Sequence, residues 1–285
     1  MKLASYFLAF FLTIPLIAAE LQFGIIGDAG RWNSNAQMLL ASMAEFNVKK
    51  LIMPGDNLYE GTYEQQWGEW KNAGFSFDVI ALGNHNETYQ AEIKFFQMPG
   101  EYFSKTYAFG EIQYLVLNSD NTSNVTKQMT WLKAQLKAST AKQIYLVYHH
   151  PTYKVGRYIP TEQKKNFQLK IRPLLKTYRH KITALIVGHE HITSLMHFDT
   201  LPVVISGCTQ SPRDEVPLNN IQSGVRVRTA IHLDSEPFWV MQVTPQDITA
   251  TDASEFLFIR GRDSKVMCRA TIKTGQSATY RCDGA

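Results

Sequence analysis

Five short apolar runs in this chain of 285 residues each end at a turn whose side chains could bind a metal ion. The first three turns read Gly-Asp-Ala-Gly at residues 27–30, Gly-Asp-Asn-Leu-Tyr at 55–59 and Gly-Asn-His at 83–85. The last two read His-His-Pro at 149–151 and Gly-His-Glu-His at 188–191. A carboxylate at the end of a buried strand is poorly solvated and needs a compensating cation. The pattern therefore predicts a shared metal site.

Helical spacing of apolar residues separates most of these runs, at residues 36–46, 127–136 and 167–175. Strands that alternate with helices indicate an α/β domain, in which ligand-binding groups gather at the carboxyl ends of the strands. We therefore expect all five turns to meet at one edge of the domain.

The remaining apolar segments predict further β-structure. Residues 106–109 and 113–118 are typical of a hairpin. After residue 203 the chain becomes β-rich, with predicted strands at 225–233, 238–243, 248–251 and 256–259. We expect this C-terminal half to form a second sheet that packs on the first. A single domain at 20–260, followed by a hairpin extension at 261–285, is the simplest organisation.

The N-terminus is typical of a secretory signal peptide, because Lys2 precedes an apolar stretch that ends in small residues near Ala19. The alternative is a retained membrane anchor, for which the apolar stretch is marginal in length. Lys2 is the only charged side chain in residues 1–19, so cleavage would lower the formal charge from +4 to +3. That charge is too small to indicate a nucleic-acid partner.

Two of the three cysteines are placed to form a disulfide. Cys268 and Cys282 flank a segment that alternates like a hairpin around Gly275, and an exported protein would oxidise such a pair. Cys208 is left over and is expected to be a small buried residue.

Taken in chain order, the five turns resemble the motifs of the calcineurin-like metallophosphoesterases. Two details resemble their purple acid phosphatase branch, namely glycine instead of histidine at Gly30 and a tyrosine at Tyr59. Residues 131–133 and 171–175 and the β-rich C-terminal third are similar to the small, tartrate-resistant form. The resemblance covers about residues 22–260.

The resemblance implies a four-layer α/β/β/α sandwich with a dinuclear metal site at the carboxyl ends of the strands. One metal would be held by Asp28, Asp56, Tyr59 and His191, and the other by Asp56, Asn84, His149 and His189. Three anionic oxygens suit a trivalent ion, whereas imidazoles with an amide oxygen suit a divalent one. The implied cofactor is iron(III) paired with iron(II), zinc or manganese.

The fourth turn offers two histidines. The family's ligand histidine stands two residues before a proline, so Pro151 favours His149. His150 remains the second choice; otherwise it packs beside the site.

Asn84 and His85 are implied to contact the substrate phosphate, and His85 is a candidate acid for the leaving group. The chain departs from the family at Asn86, where an acid is usual, and at Arg157 and Tyr158, where the small form has Glu-His. Arg157 could bind phosphate and Tyr158 could line the substrate pocket, or both could lie in a solvated loop.

The implied function is that of a secreted acid phosphatase, which hydrolyses small phosphate monoesters with a metal-bound hydroxide and without a phosphoenzyme. We expect a monomer without a stable membrane span. The alternatives are a phosphodiesterase with the same metals and a non-catalytic phosphate-binding protein. The intact set of seven ligands argues against the last one.

Overall fold

The computed structural model describes residues 20–121, 123–156, 162–207, 219–233, 235–245 and 252–283, without the side chains of 162–164. Several predictions concern residues outside these ranges: the signal peptide at 1–19, the strand at 248–251, Cys208, Arg157 and Tyr158. In the described ranges, no helix has the length and apolar character that a membrane span requires.

The described residues form five α-helices and fifteen strands. The helices are α1 (Ser34–Glu45), α2 (Tyr63–Asn72), α3 (Tyr89–Phe96), α4 (Val125–Ala138) and α5 (Glu162–Thr177). The strands are β1 (Glu20–Ile25), β2 (Lys50–Met53), β3 (Ser76–Ile80), β4 (Phe103–Tyr107), β5 (Ile112–Val116), β6 (Gln143–Val147), β7 (Ile182–Val187), β8 (Thr193–Phe198), β9 (Leu201–Ser206), β10 (Asn220–Gln222), β11 (Val225–Leu233), β12 (Phe238–Pro245), β13 (Ala253–Arg260), β14 (Lys265–Lys273) and β15 (Thr279–Cys282).

These strands make two sheets. The first has the order β15-β14-β13-β12-β1-β2-β3, and the second has the order β10-β11-β8-β9-β7-β6-β5-β4. Strands β1, β2 and β3 run parallel, as do β5, β6, β7 and β9. Parallel strands place their carboxyl ends at one edge, so both sheets present the ends of several strands to a common side.

Alternating side chains show how the layers stack. On β1, Phe23 packs edge-on against Tyr114 of the second sheet, with ring centroids 5.5 Å apart, whereas Gly24 lies against Met43 of α1. On β6, Tyr145 belongs to the core between the sheets, whereas Leu146 belongs to the core beneath α4 and α5. This period of two confirms the predicted four-layer α/β/β/α sandwich.

The predicted helices at 36–46, 127–136 and 167–175 correspond to α1, α4 and α5, and the predicted hairpin at 106–118 corresponds to β4 and β5. Helices α2 and α3 were not predicted. Each begins at a threonine whose hydroxyl accepts a backbone N–H, Thr62 from Gln65 and Thr88 from Ala91. Both helices are short, so the spacing of their apolar residues is a weak indication of a helix.

The prediction that the C-terminal half forms its own sheet is wrong. Strands β12 to β15 extend the first sheet, because β12 pairs antiparallel with β1, and strands β10 and β11 extend the second sheet through β8. The local sequence pattern identifies a strand but not the strand with which it pairs. The unpaired N–H and C=O groups at a sheet edge can form hydrogen bonds with any strand that lies beside them.

The C-terminal hairpin of β14 and β15 continues the first sheet beyond residue 260. Cys268 lies directly opposite Cys282, and their sulfur atoms are 2.03 Å apart. The turn between the strands contains Gly275, with a φ of 77° that favours glycine.

Candidate metal centre

Six of the predicted ligand side chains lie just beyond strand ends at the common edge. They are Asp28 after β1, Asp56 after β2, Asn84 after β3, His149 after β6, and His189 and His191 after β7. The first three come from one sheet and the last three from the other. The two sheets therefore bring their ligands to each other across the edge of the sandwich.

Three of these residues have a left-handed backbone conformation, which is unfavourable for residues other than glycine. The φ angles are 54° at Asp28, 57° at Asp56 and 71° at His189. Such a conformation costs about 1–3 kcal/mol and persists only where the surroundings fix it. Backbone hydrogen bonds supply that constraint, for example from Asp28 N–H to the carbonyl of Gly55 at 3.0 Å.

The first group of ligands surrounds the hydroxyl of Tyr59. This hydroxyl lies 3.2 Å from Oδ1 of Asp28, 3.1 Å from Oδ2 of Asp56 and 3.3 Å from Nε2 of His191. Nε2 of His191 is 3.5 Å from Oδ1 of Asp28. Two carboxylates, a phenol and an imidazole thus converge on one point.

The second group surrounds Nε2 of His149. This nitrogen lies 3.2 Å from Oδ1 of Asn84, 3.1 Å from Oδ1 of Asp56 and 3.1 Å from Nδ1 of His189. The other ring nitrogen, Nδ1, is 2.9 Å from the carbonyl of Pro54. A carbonyl only accepts hydrogen bonds, so Nδ1 carries a proton and Nε2 can offer its lone pair to a metal.

Asp56 belongs to both groups. Its Oδ2 faces Tyr59 and its Oδ1 faces His149, so each oxygen points to a different set of ligands. The backbone N–H of His85 donates to Oδ1 at 2.8 Å and fixes the orientation of the carboxylate. A carboxylate held in this way can bridge two ions.

The protonation of the buried groups shows that the site needs cations. Burial raises the pKa of Asp28, and burial together with the charges on Asp28 and Asp56 raises the pKa of Tyr59 well above its usual range. Burial also opposes the charge on Asp56, yet the neighbouring His149 and hydrogen bonds from His149 and His85 hold its pKa well below the usual range.

His149 is the internal counter-ion of this arrangement. Burial alone would lower its pKa, but Asp56, with a smaller contribution from Asp28, raises it to about 9. One imidazolium cannot compensate two buried carboxylates and a phenolate, so bound cations are required if all ligands are to ionise. The residues present therefore fit a dinuclear metal group.

Two sets of possible ligand atoms lie within 4.8 Å of one another: Asp28, Asp56 and His149, and His149, His150 and His189. Of the two histidines in the fourth turn, His149 contacts Asp56 and Asn84. His150 instead has Nδ1 2.9 Å from Oγ of Ser119, and its ring lies 4.4 Å from that of His189. His150 thus lies beside His189 and Ser119, and the choice of His149 over His150 as the ligand stays a prediction.

Close packing explains the glycine at Gly30. A Cβ atom there would lie 2.2 Å from the backbone nitrogen of Leu58, and the Gly30 carbonyl accepts the backbone N–H of Tyr59 at 2.8 Å. Any larger residue, including the histidine of most metallophosphoesterases, would displace the segment that carries Tyr59.

The predicted substrate-contacting residues are only partly described. His85 is exposed, and its ring lies 4.6 Å from the ring of Tyr59, so it borders the ligands on the solvent side. The Asn86 side chain donates to the carbonyl of Gly83 at 2.9 Å and thus stabilises its own turn. Arg157 and Tyr158 lie outside the described residues.

Several polar residues around the ligands were not predicted. Asn57 and Glu92 form a buried pair behind Asp56, and Tyr89 donates to Asp120 at 2.6 Å close to His150. Asn57 could have been noticed because it follows Asp56 directly. Glu92 lies inside a short helix and belongs to no motif, so no sequence pattern indicates its role.

Comparison with known proteins agrees with this geometry. The sequence profile of the calcineurin-like phosphoesterase family matches residues 21–193. Tartrate-resistant acid phosphatase type 5 of Sus scrofa is 21% identical over 286 residues, which cover 81% of this chain and 82% of that protein.

Two solved structures share the fold. GAP50, the anchor in the inner membrane complex of Plasmodium, has a TM-score of 0.71 at 15% identity, covering 90% of both chains. Purple acid phosphatase PPD1 from yellow lupin (Lupinus luteus) has a TM-score of 0.62 at 12% identity, covering 93% of this chain and 54% of that one. The predicted resemblance is confirmed: the chain belongs to the calcineurin-like phosphoesterase family, on its purple acid phosphatase branch, and is a metal-binding phosphoester hydrolase.

Proposed function

We propose that the protein is an exported acid phosphatase that hydrolyses phosphate monoesters at a dinuclear metal centre. The observation that carries this proposal is the division of ligands into two groups that share Asp56. The similarity to an acid phosphatase over most of both chains supports the choice of substrate class.

The donor atoms of each group indicate which ions would bind. The group around Tyr59 offers two carboxylates and a phenolate, which suit iron(III), and the group around His149 offers two imidazoles, an amide and the shared carboxylate, which suit iron(II), zinc or manganese. When bound, two such ions supply Lewis acidity at the phosphoryl oxygens and activate water for in-line attack. Asp28, Asp56 and ionised Tyr59 contribute three negative charges, so a trivalent and a divalent ion leave the site positive and attractive to phosphate.

The chain's own residues have three roles in this proposal. The buried carboxylates of Asp28 and Asp56 hold the centre away from bulk water, since both are at most 2% exposed. Asn84 and His85 contact the phosphate from the third turn, and His85 donates a hydrogen bond from its exposed ring. Arg157 remains a proposed contact of the phosphate, and Tyr158 a proposed residue of the substrate pocket.

Asn86 cannot assist His85 in the way an acid would. Its amide group is used by the carbonyl of Gly83, within the same turn. We therefore propose His85 chiefly as a hydrogen-bond donor to phosphate.

Export is supported by two features. The apolar stretch before Ala19 is typical of a signal peptide, and Cys268 and Cys282 lie opposite each other on β14 and β15, where they could form a disulfide. Disulfides form in oxidising compartments outside the cytoplasm. We propose that the mature protein begins near Glu20 and works as a monomer.

The test compares hydrolysis of an aryl phosphate monoester with that of an aryl phosphate diester, from acidic to neutral pH, on protein loaded with iron and zinc. The proposal predicts turnover of the monoester with an acidic optimum and little turnover of the diester. Preferred hydrolysis of the diester would make the protein a phosphodiesterase. No turnover of either ester with both metals bound would contradict the proposal.

A further inference from the structure

The turn that carries Asp56 is strained and must be held by its surroundings. Gly55 and Asp56 are consecutive left-handed residues, with φ angles of 98° and 57°. Both are buried, as is the following residue, Asn57. Strain of this kind persists only where neighbouring contacts determine the conformation. Asn57 directly follows Asp56, the ligand shared by the two groups, so its contacts can hold this turn in place.

The Asn57 side chain joins the turn to two other segments. Its Nδ2 donates to the carbonyl of Ala81 at 3.0 Å and to Oε1 of Glu92 at 2.6 Å. Both partners are acceptors, so they fix which end of the amide faces them. The backbone carbonyl of Asn57 accepts a hydrogen bond from Nε1 of Trp67 at 2.8 Å. Ala81 precedes the turn that carries Asn84, so one amide links the segments of two ligands.

Glu92 is a buried carboxyl on α3 that no proposed chemical step uses. Its side chain is 0% exposed, and burial raises its pKa to about 7. Oε1 accepts from Asn57, and Oε2 accepts from the hydroxyl of Tyr63 at 3.2 Å. Asn57 and Tyr63 bracket the short segment that contains Tyr59. Glu92 therefore holds both ends of the segment between the shared carboxylate and α2.

The buried pair of Asn57 and Glu92 costs folding free energy. A buried carboxyl group is costly even with hydrogen bonds. In addition, Oδ1 of Asn57 is buried and has no hydrogen-bond partner among the described residues, which costs about 1–3 kcal/mol. An apolar pair of similar volume would avoid both penalties.

We propose that Glu92 is a positioning residue of the metal centre: through Asn57 it holds the Asp56 turn so that the two carboxylate oxygens face their separate ligand groups. The inference rests on the proposed dinuclear centre. Glu92 touches neither the metals nor the substrate, and it acts through Asn57 on Asp56 and through Tyr63 on the segment of Tyr59. Groups that orient metal ligands from behind contribute about 10–100-fold to metal affinity.

The test measures zinc affinity, with zinc-loaded protein equilibrated against graded concentrations of a chelator. Glu92→Met keeps the volume and removes both acceptors, whereas Glu92→Gln keeps an acceptor for Asn57. Ser254→Ala is the matched control, because Ser254 is buried in a hydrogen-bonded network with Tyr145 and Thr244 between the sheets, far from the ligands. Unfolding temperatures are recorded for each variant.

The inference predicts that Glu92→Met weakens zinc binding by about 10–100-fold, that Glu92→Gln restores it to within about threefold, and that Ser254→Ala leaves it unchanged. Wild-type affinity in Glu92→Met, or an equal loss in Ser254→Ala, would overturn the inference. If Glu92→Met does not fold, Tyr63→Phe is used instead, because it removes one hydrogen bond to the Glu92 carboxyl. This variant should weaken zinc binding severalfold, and an unchanged zinc affinity in Tyr63→Phe would also overturn the inference. Failure of the proposed function is distinct, since it would be seen as wild-type protein with two bound ions and no esterase activity.

Discussion

The two oxygens of Asp56 face opposite ways, with Oδ2 3.1 Å from the hydroxyl of Tyr59 and Oδ1 on the side of His149. Tyr59 follows three residues later in the same turn, so one short segment supplies both the shared carboxylate and the phenol. The Tyr59 hydroxyl lies against Asp28, Asp56 and His191, so the phenol belongs to the first group of ligands. Its chemistry can therefore be tested separately from that of the second group.

Tyr59→Phe should remove the visible absorption band that a tyrosinate gives to bound iron(III), while zinc remains in the second group. The reason is that the Tyr59 hydroxyl contacts Asp28, Asp56 and His191 but not His149. Absorption spectra and metal analysis of iron- and zinc-loaded protein provide the measurement. Tyr107→Phe is the control, because its hydroxyl donates to Asp78 at 2.9 Å, away from the ligands. A band that survives in Tyr59→Phe would exclude this phenolate.

Metal binding at neutral pH should release protons from the ligands, including one from His149 and one from Tyr59. Without metals, Asp56 outweighs burial and raises the pKa of His149 to about 9, and burial raises that of Tyr59 still further above neutrality. Both groups are therefore protonated at pH 7 and must lose a proton to bind. Calorimetry in buffers of different ionisation enthalpy counts the protons, and Tyr59→Phe should release one fewer. Equal release by both proteins would contradict the ligand assignment.

Glu92 should make stability depend on pH in a direction opposite to that of an ordinary paired carboxylate. Burial, the largest cause, raises its pKa from 4.5 to about 7 in the folded protein. The folded state therefore keeps a proton that the unfolded state has lost, and the free energy of unfolding falls as pH rises from about 4.5 to 7. Over this range Glu92→Gln should gain about 3 kcal/mol relative to wild type. Urea unfolding at several pH values measures the difference, and a constant difference would refute the shift.

Gly30→Ala should destabilise the protein by about 2 kcal/mol or more, and weaken metal binding, because the added Cβ would meet the backbone of Leu58 at 2.2 Å. Gly68→Ala is the matched control. It lies in α2 with nothing within 4 Å of the added atom, so it should stabilise the helix by about 0.5–1 kcal/mol. Unfolding free energies and zinc affinities give both results. Tolerance of Gly30→Ala would show that the segment of Tyr59 can move.

The meeting of the five turns at one edge was predictable because the residue types in the turns and the strand pattern both indicate it. An apolar strand that ends in Gly-Asp or Gly-His places a polar group at a sheet edge, and parallel strands bring such edges together. Pro151 favoured His149 over His150, and the structure places His149 against Asp56. The pairing of the C-terminal strands could not be predicted in this way, because the sequence of a strand does not identify its neighbour: β12 joins the first sheet through β1, and β11 joins the second through β8.

Residues that contact the ligands from behind could not be predicted from the sequence, for a different reason. Glu92 acts through a contact with Asn57 that spans 35 positions of the sequence, and it lies on a helix of eight residues that was itself not predicted. Nothing local distinguishes it from a solvated glutamate. Its role is visible only once α3 is placed against the Asp56 turn.

Asp56 serves two metal ions in the proposed centre, and this role can be measured by counting the metals bound to two carboxylate variants. Wild type loaded with iron and zinc should hold two ions per chain. Asp28→Asn changes a ligand of the first group only and should keep the zinc, whereas Asp56→Asn should lose both ions, because its two oxygens face both groups. Full occupancy of either metal in Asp56→Asn would show that Asp56 does not bridge the two ions.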